Sequence, residues 1–224
     1  IGIPGGYGNL HRSSVDWGFS TVPQQYVNNR SIYLPRGKTL GGSSSTNAMA
    51  YVRGNKADYD DWSDLGNKGW SFDEVLPYFK KSEYNEDYND SYHGDEGPLN
   101  VTLGKDFQTP YAQAFLEACQ QSGIPKNKDY NGATQLGASL FQFTIKEGKR
   151  QSTAVAFLKP VMYRPNLTVI TEARASEIII ESDRAVGVAY LKSESIQKAY
   201  ASKEVILSAG AFQSPQSVSY THLT

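Results

Sequence analysis

The sequence predicts a mixed α/β fold of the α+β kind, with helices in its first two thirds and strands gathered near its C-terminal end. Two helix starts carry the first part of this prediction. A capping-box pattern at residues 71–74 opens one apolar run, and a Thr-Pro pair at residues 109–110 opens another. Runs of β-branched residues between positions 167 and 208 carry the second part, because such residues favour strands.

The composition is that of an ordinary globular protein and excludes several classes of function. Of the 224 residues, 39% are hydrophobic and 20% charged, and the net charge of −1 offers no basic field for nucleic acid. A single cysteine, Cys119, excludes an internal disulfide, and His11, His93 and His222 are too far apart to predict a metal site. No apolar run approaches the roughly 20 residues of a membrane span.

The first half of the chain is predicted to be irregular and then helical. Residues 1–35 are rich in Gly, Asn and Ser and show little periodicity, which indicates loops. Ser71 and Glu74 form the capping box that starts a helix. Because Pro77 lacks an amide donor, we expect it to break this helix, with a second short helix continuing through Lys81.

The middle of the chain is predicted to contain one clear helix and one strand. The helix runs from Thr109 to a stop at Gly123, with Cys119 on its apolar face as a buried small side chain rather than a nucleophile. Its predicted inward face also includes Ala114, Phe115 and Ala118. Residues 138–146 alternate apolar and polar side chains, which predicts a half-buried strand.

After Ser152 a helix over residues 154–158 is predicted to end at Pro160, and the remaining pattern is one of strands. Strands are predicted at 167–170, 175–180, 185–191 and 205–208, with a tight turn at 182–184. This spacing favours a small antiparallel unit, and the final strand is a candidate for a larger parallel sheet.

The most informative stretch is PRGKTLGGSSSTNAMAYVRG at residues 35–54, followed by DYDDW at 58–62, LG at 65–66, GW at 69–70 and LPYF at 76–79. It resembles the first signature of the glucose-methanol-choline (GMC) flavoprotein family. Segments at 150–158, 166–169, 185–188 and 203–211 resemble later parts of the same family. A flexible linker would be the alternative interpretation of a Gly-Gly-Ser run standing alone.

The resemblance implies a partial FAD-binding domain of the GMC type together with part of a substrate-binding domain. Residues 1–64 would form the lid over FAD and the loop that contacts it, and residues 65–150 would belong to the substrate-binding domain. Residues 151–216 would return the chain to the FAD-binding domain. Residues 217–224 depart from the family pattern, and we interpret them as a foreign tail or assembly artefact.

The resemblance also assigns the residues that contact FAD. Paired glycines allow a close backbone approach, and the hydroxyls and amides that follow can donate to a pyrophosphate or to flavin edge atoms. The FAD-contact positions implied by the resemblance are Gly41, Gly42, Ser43, Asn47, Ala48, Ala50 and Ala175. Some relatives bond their flavin covalently through a histidine at the position of Thr46, so we predict non-covalent FAD here.

Two family parts have no match in this sequence. The G-x-G-x-x-G loop is expected before Ile1 and the catalytic histidine beyond Thr224, so no catalytic residue is assigned within the chain. His93 lies where the resemblance begins the substrate-binding domain. We interpret it as a surface hydrogen-bonding residue rather than a catalytic base.

By resemblance, the parent protein oxidises a CH–OH group of a small alcohol or sugar by hydride transfer to flavin, with a quinone or oxygen as the electron acceptor. In general sequence character, the chain is most similar to the insect glucose dehydrogenase branch of the family. Two alternatives stay open: a hydroxynitrile-lyase-like member that holds FAD without redox chemistry, and a non-catalytic incomplete fragment. Four N-x-S/T sequons, at Asn29, Asn89, Asn100 and Asn166, favour a secreted protein.

Overall fold

The computed structural model describes residues 1–105 and 108–222, and it divides the chain into two compact units, Ile1–Arg164 and Pro165–Thr224. The first unit contains all the residues of the glycine-rich stretch, and the second contains the predicted antiparallel strands. Which of the segments 1–64, 65–150 and 151–216 belongs to which functional domain stays a prediction.

The N-terminal segment is irregular, as predicted. Several of its residues are linked by hydrogen bonds to one carboxylate, that of Asp16. A 3₁₀ helix spans Pro4–Leu10, and β1 (Phe19–Ser20) pairs antiparallel with β2 (Tyr33–Leu34). The carboxylate of Asp16 accepts hydrogen bonds from the Tyr33 hydroxyl and from the backbone N–H groups of Arg12, Gly18 and Arg36. Burial by itself would raise the pKa of Asp16, but these hydrogen bonds lower it well below the usual range.

Two capped helices follow in the first unit. Helix α1 (Lys56–Asp64) begins at Asn55, whose side chain accepts the Ala57 N–H at 3.0 Å. Helix α2 (Phe72–Ser82) begins at the predicted capping box of Ser71 and Glu74.

The predicted break at Pro77 is wrong, because α2 runs through it without interruption. Proline removes the bond to the carbonyl four residues earlier, and in α2 that carbonyl belongs to the exposed Asp73, where water can hydrate it. Buried Phe72 and Val75 anchor the opposite face of the helix.

Helix α3 (Pro110–Gln121) begins after Thr109, and Gly123 follows its end with a φ of +84°, both as predicted. Its predicted inward face is wrong for Ala114, Phe115 and Ala118, which are exposed. Leu116 is the helix residue with 5% exposure, whereas Phe115 is 68% exposed and Cys119 is half-buried. The less exposed residues of α3 are Ala112, Leu116 and Cys119, spaced four and three residues apart, so Cys119 lies on the inward stripe.

The remaining strands of the first unit are short. Strands β3 (Glu83–Asn85) and β4 (Leu99–Val101) pair in parallel, and β5 (Ile145–Lys146) pairs antiparallel with β6 (Lys149–Arg150). The strand predicted at 138–146 is wrong over most of its length, since outside β5 it makes isolated bridges only. The predicted helix over 154–158 is present as a π-helix at Ala154–Leu158, but Pro160 does not end it, because a 3₁₀ turn continues over Lys159–Val161.

The second unit is built on an antiparallel sheet in the order β7 (Arg174–Glu181), β8 (Arg184–Lys192) and β9 (Ser195–Tyr200). Both hairpins turn through two residues of positive φ, Ser182–Asp183 and Ser193–Glu194, the geometry that matches strand twist. The small antiparallel unit is confirmed, but residues 167–170 and 205–208 do not form the predicted strands, and β9 was not predicted.

Helix α4 (Gly210–His222) continues through residue 217, where the sequence indicated a foreign tail. Leu223 and Thr224 lie outside the described residues. Nowhere in the described ranges does a helix reach the length and apolar character that a membrane crossing needs.

Candidate functional site

Residues 41–47 form a compact turn, which we call the glycine–serine turn. Its centre is a 3₁₀ helix at Gly42–Ser45, entered through Gly41 with a φ of +86°. A Cβ at Gly41 would lie 2.6 Å from the Ser45 hydroxyl and 3.1 Å from the Cβ of Ala154. Glycine is required there both by conformation and by space. The turn is a packed structure, so the flexible-linker alternative is wrong.

Residues 150–154 pack against the glycine–serine turn and form hydrogen bonds with it. The Ser44 hydroxyl donates to the Gly41 carbonyl at 2.6 Å and accepts the Thr153 N–H at 3.0 Å. Arg150 donates to the Ser44 carbonyl at 3.1 Å and to the Asn47 side-chain oxygen at 2.8 Å. The first signature and the family-like segment at 150–158 are thus in direct contact within the first unit.

Four of the predicted FAD-contact residues of the first unit are exposed, and Gly41 and Gly42 are half-buried. Ser43, Asn47, Ala48 and Ala50 are exposed, while Ser45, Thr46 and Met49, which alternate with them, are buried. The hydroxyl oxygen of Ser43 accepts the Gly37 N–H at 3.2 Å, which leaves its hydrogen available to a ligand. Small exposed side chains beside exposed polar groups fit a flavin nucleotide. Their role as FAD contacts stays a prediction.

Ala175 lies in the second unit, exposed on β7, where it pairs with Tyr190. The β7–β8 register shifts between Ala175 and Glu177, so the strand is irregular at this position. Its predicted contact with adenine through the backbone stays a prediction.

The sequence did not predict a second feature of the first unit, a buried group of four ionisable side chains that we call the charged cluster: Arg53, Glu83, His93 and Asp129. Glu83 is 0% exposed and accepts from Arg53 at 2.6 Å and from the Gly94 N–H at 3.0 Å. His93 places one ring nitrogen 3.2 Å from Glu83 and the other 2.8 Å from Asp129. Arg53, Glu83 and His93 are buried and Asp129 is half-buried, so two cations and two carboxylates compensate one another with little access to water.

The prediction of His93 as a surface residue is wrong, since it is 2% exposed. Burial by itself would lower the pKa of His93, but the hydrogen bonds to Asp129 and Glu83 outweigh it and raise the pKa to about 9. Burial would likewise raise the pKa of Glu83, and the bond from His93 with the charge of Arg53 lowers it instead. At neutral pH His93 is thus a cation held between two carboxylates, with no free nitrogen to act as a base.

The raised pKa of His93 predicts a pH dependence of stability. In the unfolded chain its pKa is the ordinary 6.5, so the stabilisation is complete below that value and is lost as the pH rises to about 9. We expect a His93→Gln variant to lack this slope, the difference amounting to at most about 3 kcal/mol. Urea unfolding of both proteins between pH 6 and 9.5 measures it, and parallel curves would contradict the assignment.

One group in the described residues has the composition of a metal site. A carboxylate oxygen of Asp90, one of Asp129 and a ring nitrogen of His93 lie within 4.8 Å of one another. Asp90 accepts the backbone N–H groups of Tyr92 and His93, and the ring nitrogen that would ligate a metal already bonds Asp129. An ion pair accounts for this geometry.

Comparison with known proteins assigns the family. A sequence model described as GMC oxidoreductase matches residues 11–221, nearly the whole chain. The chain belongs to the GMC oxidoreductase family.

The similar curated proteins are oxidoreductases. The mitochondrial choline dehydrogenase of Mus musculus is 45% identical over 208 residues, covering 93% of this chain and 35% of that protein. The alcohol dehydrogenase [acceptor] of Pseudomonas putida is 45% identical over 220 residues, covering 96% of this chain and 40% of that protein. The chain therefore spans about two fifths or less of the length of these relatives.

Solved structures agree in fold. The pyridoxine 4-oxidase of Mesorbium loti matches with a TM-score of 0.92 and 32% identity, over 98% of this chain and 43% of that one. An FAD-dependent oxidoreductase of Chaetomium thermophilum matches with a TM-score of 0.90 and 29% identity, over 99% of this chain and 40% of that one. The family and these neighbours support FAD as the cofactor and the mixed helix and strand fold of a GMC FAD-binding domain.

Proposed function

We propose that this chain is part of an FAD-dependent oxidoreductase that oxidises the CH–OH group of a small alcohol, and that the glycine–serine turn contacts the cofactor. The observation that supports it is the exposed face of Ser43, Asn47, Ala48 and Ala50, within a family match of almost full length. Bound FAD would supply the acceptor for the hydride that leaves the alcohol carbon.

The contribution of the turn is binding and orientation. The Ser43 hydroxyl and the Asn47 side-chain amide would donate to the cofactor, and Gly41 and Gly42 shape the turn that presents them. Thr46 is 6% exposed and offers no ring nitrogen for a covalent link, which supports non-covalent FAD. The catalytic histidine implied by the family resemblance is proposed to lie outside residues 1–224.

The substrate class is supported by the relatives. Choline dehydrogenase and alcohol dehydrogenase, both 45% identical, favour a small alcohol such as choline. Oxidation of a sugar, as in the glucose dehydrogenase branch, is the second candidate. It rests only on the general sequence resemblance to that branch. A quinone or oxygen is the proposed electron acceptor.

Anaerobic reduction of bound flavin tests the reaction class. The full-length gene product that contains this chain is purified, and its flavin absorbance is followed while choline, another primary alcohol or glucose is added. Bleaching by an alcohol supports the oxidoreductase. A yellow protein bleached by dithionite but by none of these substrates would favour the hydroxynitrile-lyase-like alternative, and a colourless one would favour the inert alternative. Acid precipitation then releases the flavin if it is non-covalent.

We propose in addition that the protein is secreted, on the strength of its sequons. Asn29, Asn89 and Asn166 are exposed, whereas Asn100 is 2% exposed and donates to the Ile145 carbonyl at 2.7 Å. In a secretory host we expect glycans at the three exposed asparagines and none at Asn100. Glycosidase treatment followed by peptide mass spectrometry measures this, with each exposed asparagine replaced by glutamine as a control. An unmodified secreted product would remove the support that the sequons give.

A further inference from the structure

Arg150 lies beneath the glycine–serine turn and is almost fully buried, with 3% exposure. Its guanidinium donates to three oxygens: the Ile1 carbonyl at 3.0 Å, the Ser44 carbonyl at 3.1 Å and the Asn47 side chain at 2.8 Å. Its second terminal nitrogen, Nη2, is buried and has no hydrogen-bond partner among the described residues. The side chain therefore links the turn to Ile1 at the start of the sequence. The N–H groups on its Nη2 remain without an acceptor among the described residues.

The charge of Arg150 is not balanced by an acidic neighbour. Within the described residues no carboxylate forms an ion pair with it, whereas Arg53, the other arginine with a buried unpaired nitrogen, is paired with Glu83 at 2.6 Å. A guanidinium stays charged under all ordinary conditions, and an unpaired buried charge costs several kcal/mol. A bound anion near the turn would compensate it.

The bonds to Asn47 fix the orientation of its side-chain amide. The Asn47 oxygen accepts from Arg150 at 2.8 Å and from the Met49 N–H at 3.0 Å. Because both donors engage the oxygen, the amide nitrogen is the end left to face outward. Asn47 is exposed, so this nitrogen presents donors on the accessible side of the turn.

We propose that Arg150 is a positioning residue for the cofactor: it holds the Asn47 amide with its nitrogen towards FAD, and its buried charge favours the anionic nucleotide bound on the turn. This inference rests on the proposed function. Arg150 acts through Asn47 and through its field, and it does not touch the reacting atoms.

A purely structural role for Arg150 predicts a different response to one substitution. Asn47→Asp keeps the oxygen that Arg150 binds and adds the negative charge that Arg150 lacks, so the FAD-free protein gains an ion pair. The same change removes the outward donor and places a carboxylate against the cofactor. Stability and FAD affinity are therefore expected to move in opposite directions.

The experiment uses the full-length gene product, with FAD removed and added back. For Asn47→Asp we expect the FAD-free protein to melt about 2–4 °C higher, and the FAD dissociation constant to rise roughly tenfold or more. Gln120→Glu is the matched control, since it also turns an amide into a carboxylate at an exposed position of the first unit, outside the predicted FAD lid, and neither quantity should change. Unaltered FAD affinity, or a loss of affinity together with lower stability, would overturn the proposal.

Three further variants keep the test decisive if the first change disturbs folding. Arg150→Lys retains the charge but not the fork of donors, and it should weaken FAD binding by releasing the Asn47 amide. If Arg150 acts through Asn47, the double variant Arg150→Lys with Asn47→Ala binds FAD as Asn47→Ala does alone. Additive losses contradict this. A wild-type protein that holds no FAD would refute the proposed function instead, so the two failures are distinguishable.

Discussion

Replacing Glu83 by glutamine is expected to destabilise the first unit by about 3–5 kcal/mol, the cost of removing one partner from a buried ion pair. Glu83 is 0% exposed and takes hydrogen bonds from Arg53, Asn85, His93 and the Gly94 N–H. The amide of glutamine fills the same space, but it leaves two buried cations opposed by Asp129 alone and turns an NH₂ group towards donors. Both losses act in the same direction.

Urea unfolding followed by tryptophan fluorescence measures this effect. Trp17, Trp62 and Trp70 all lie in the first unit, so the signal reports the unit that contains Glu83. The matched control is Glu96→Gln, the same change at an exposed position, for which we expect a shift within about 0.5 kcal/mol. A loss below about 1 kcal/mol for Glu83→Gln would mean that the charged cluster does not stabilise the fold.

Replacing Gly37 by alanine is expected to weaken FAD binding by about tenfold to a hundredfold. A Cβ at Gly37 would lie 2.2 Å from the Gly42 carbonyl oxygen and 2.9 Å from the Ser43 nitrogen, and both are backbone atoms of the glycine–serine turn. Only a shift of the turn can relieve the overlap. Overpacking of this kind costs about 1–3 kcal/mol, and tenfold in affinity corresponds to about 1.4 kcal/mol.

The control for this change is Gly123→Ala in the same unit, outside the predicted FAD lid. A Cβ at Gly123 would have no heavy atom within 4 Å, so only its φ of +84° costs stability, and FAD affinity should equal that of the wild type. Equilibrium titration of the FAD-free full-length product with FAD measures both variants. If Gly37→Ala binds FAD as tightly as the control, the turn that approaches Gly37 is not the cofactor contact.

The sequence predicted best those elements whose cause is local. The capping box at Ser71 and the tight turn at residues 182–184 depend on neighbouring residues, and both occur as predicted. Strand β9 could not be predicted because its residues, Ser195–Tyr200, are all exposed and show no apolar alternation. The apolar runs at 167–170 and 205–208 have strand composition but no strand pairing, which depends on the rest of the fold.

In the candidate site too, the features set by neighbouring residues could be predicted, and the contacts between distant residues could not. The glycine–serine turn is contiguous in sequence, so its glycines, serines and Asn47 could be predicted together. Arg150 lies 103 positions from Asn47, and Glu83 lies 30 positions from Arg53. The residue types alone do not predict such pairs, because a single arginine or glutamate in a sequence usually lies in solvent. These residues meet only when the chain is folded. For this reason the sequence predicted no contact for Arg150, and the prediction of His93 as a surface residue was wrong.

The central claim is that the exposed face of the glycine–serine turn contacts FAD. A crystal structure of the full-length gene product with FAD bound tests it directly. We expect the Ser43 hydroxyl and the Asn47 amide nitrogen within hydrogen-bond distance, about 2.7–3.2 Å, of FAD oxygen or nitrogen atoms. FAD bound elsewhere, with this face left in water, would contradict the claim.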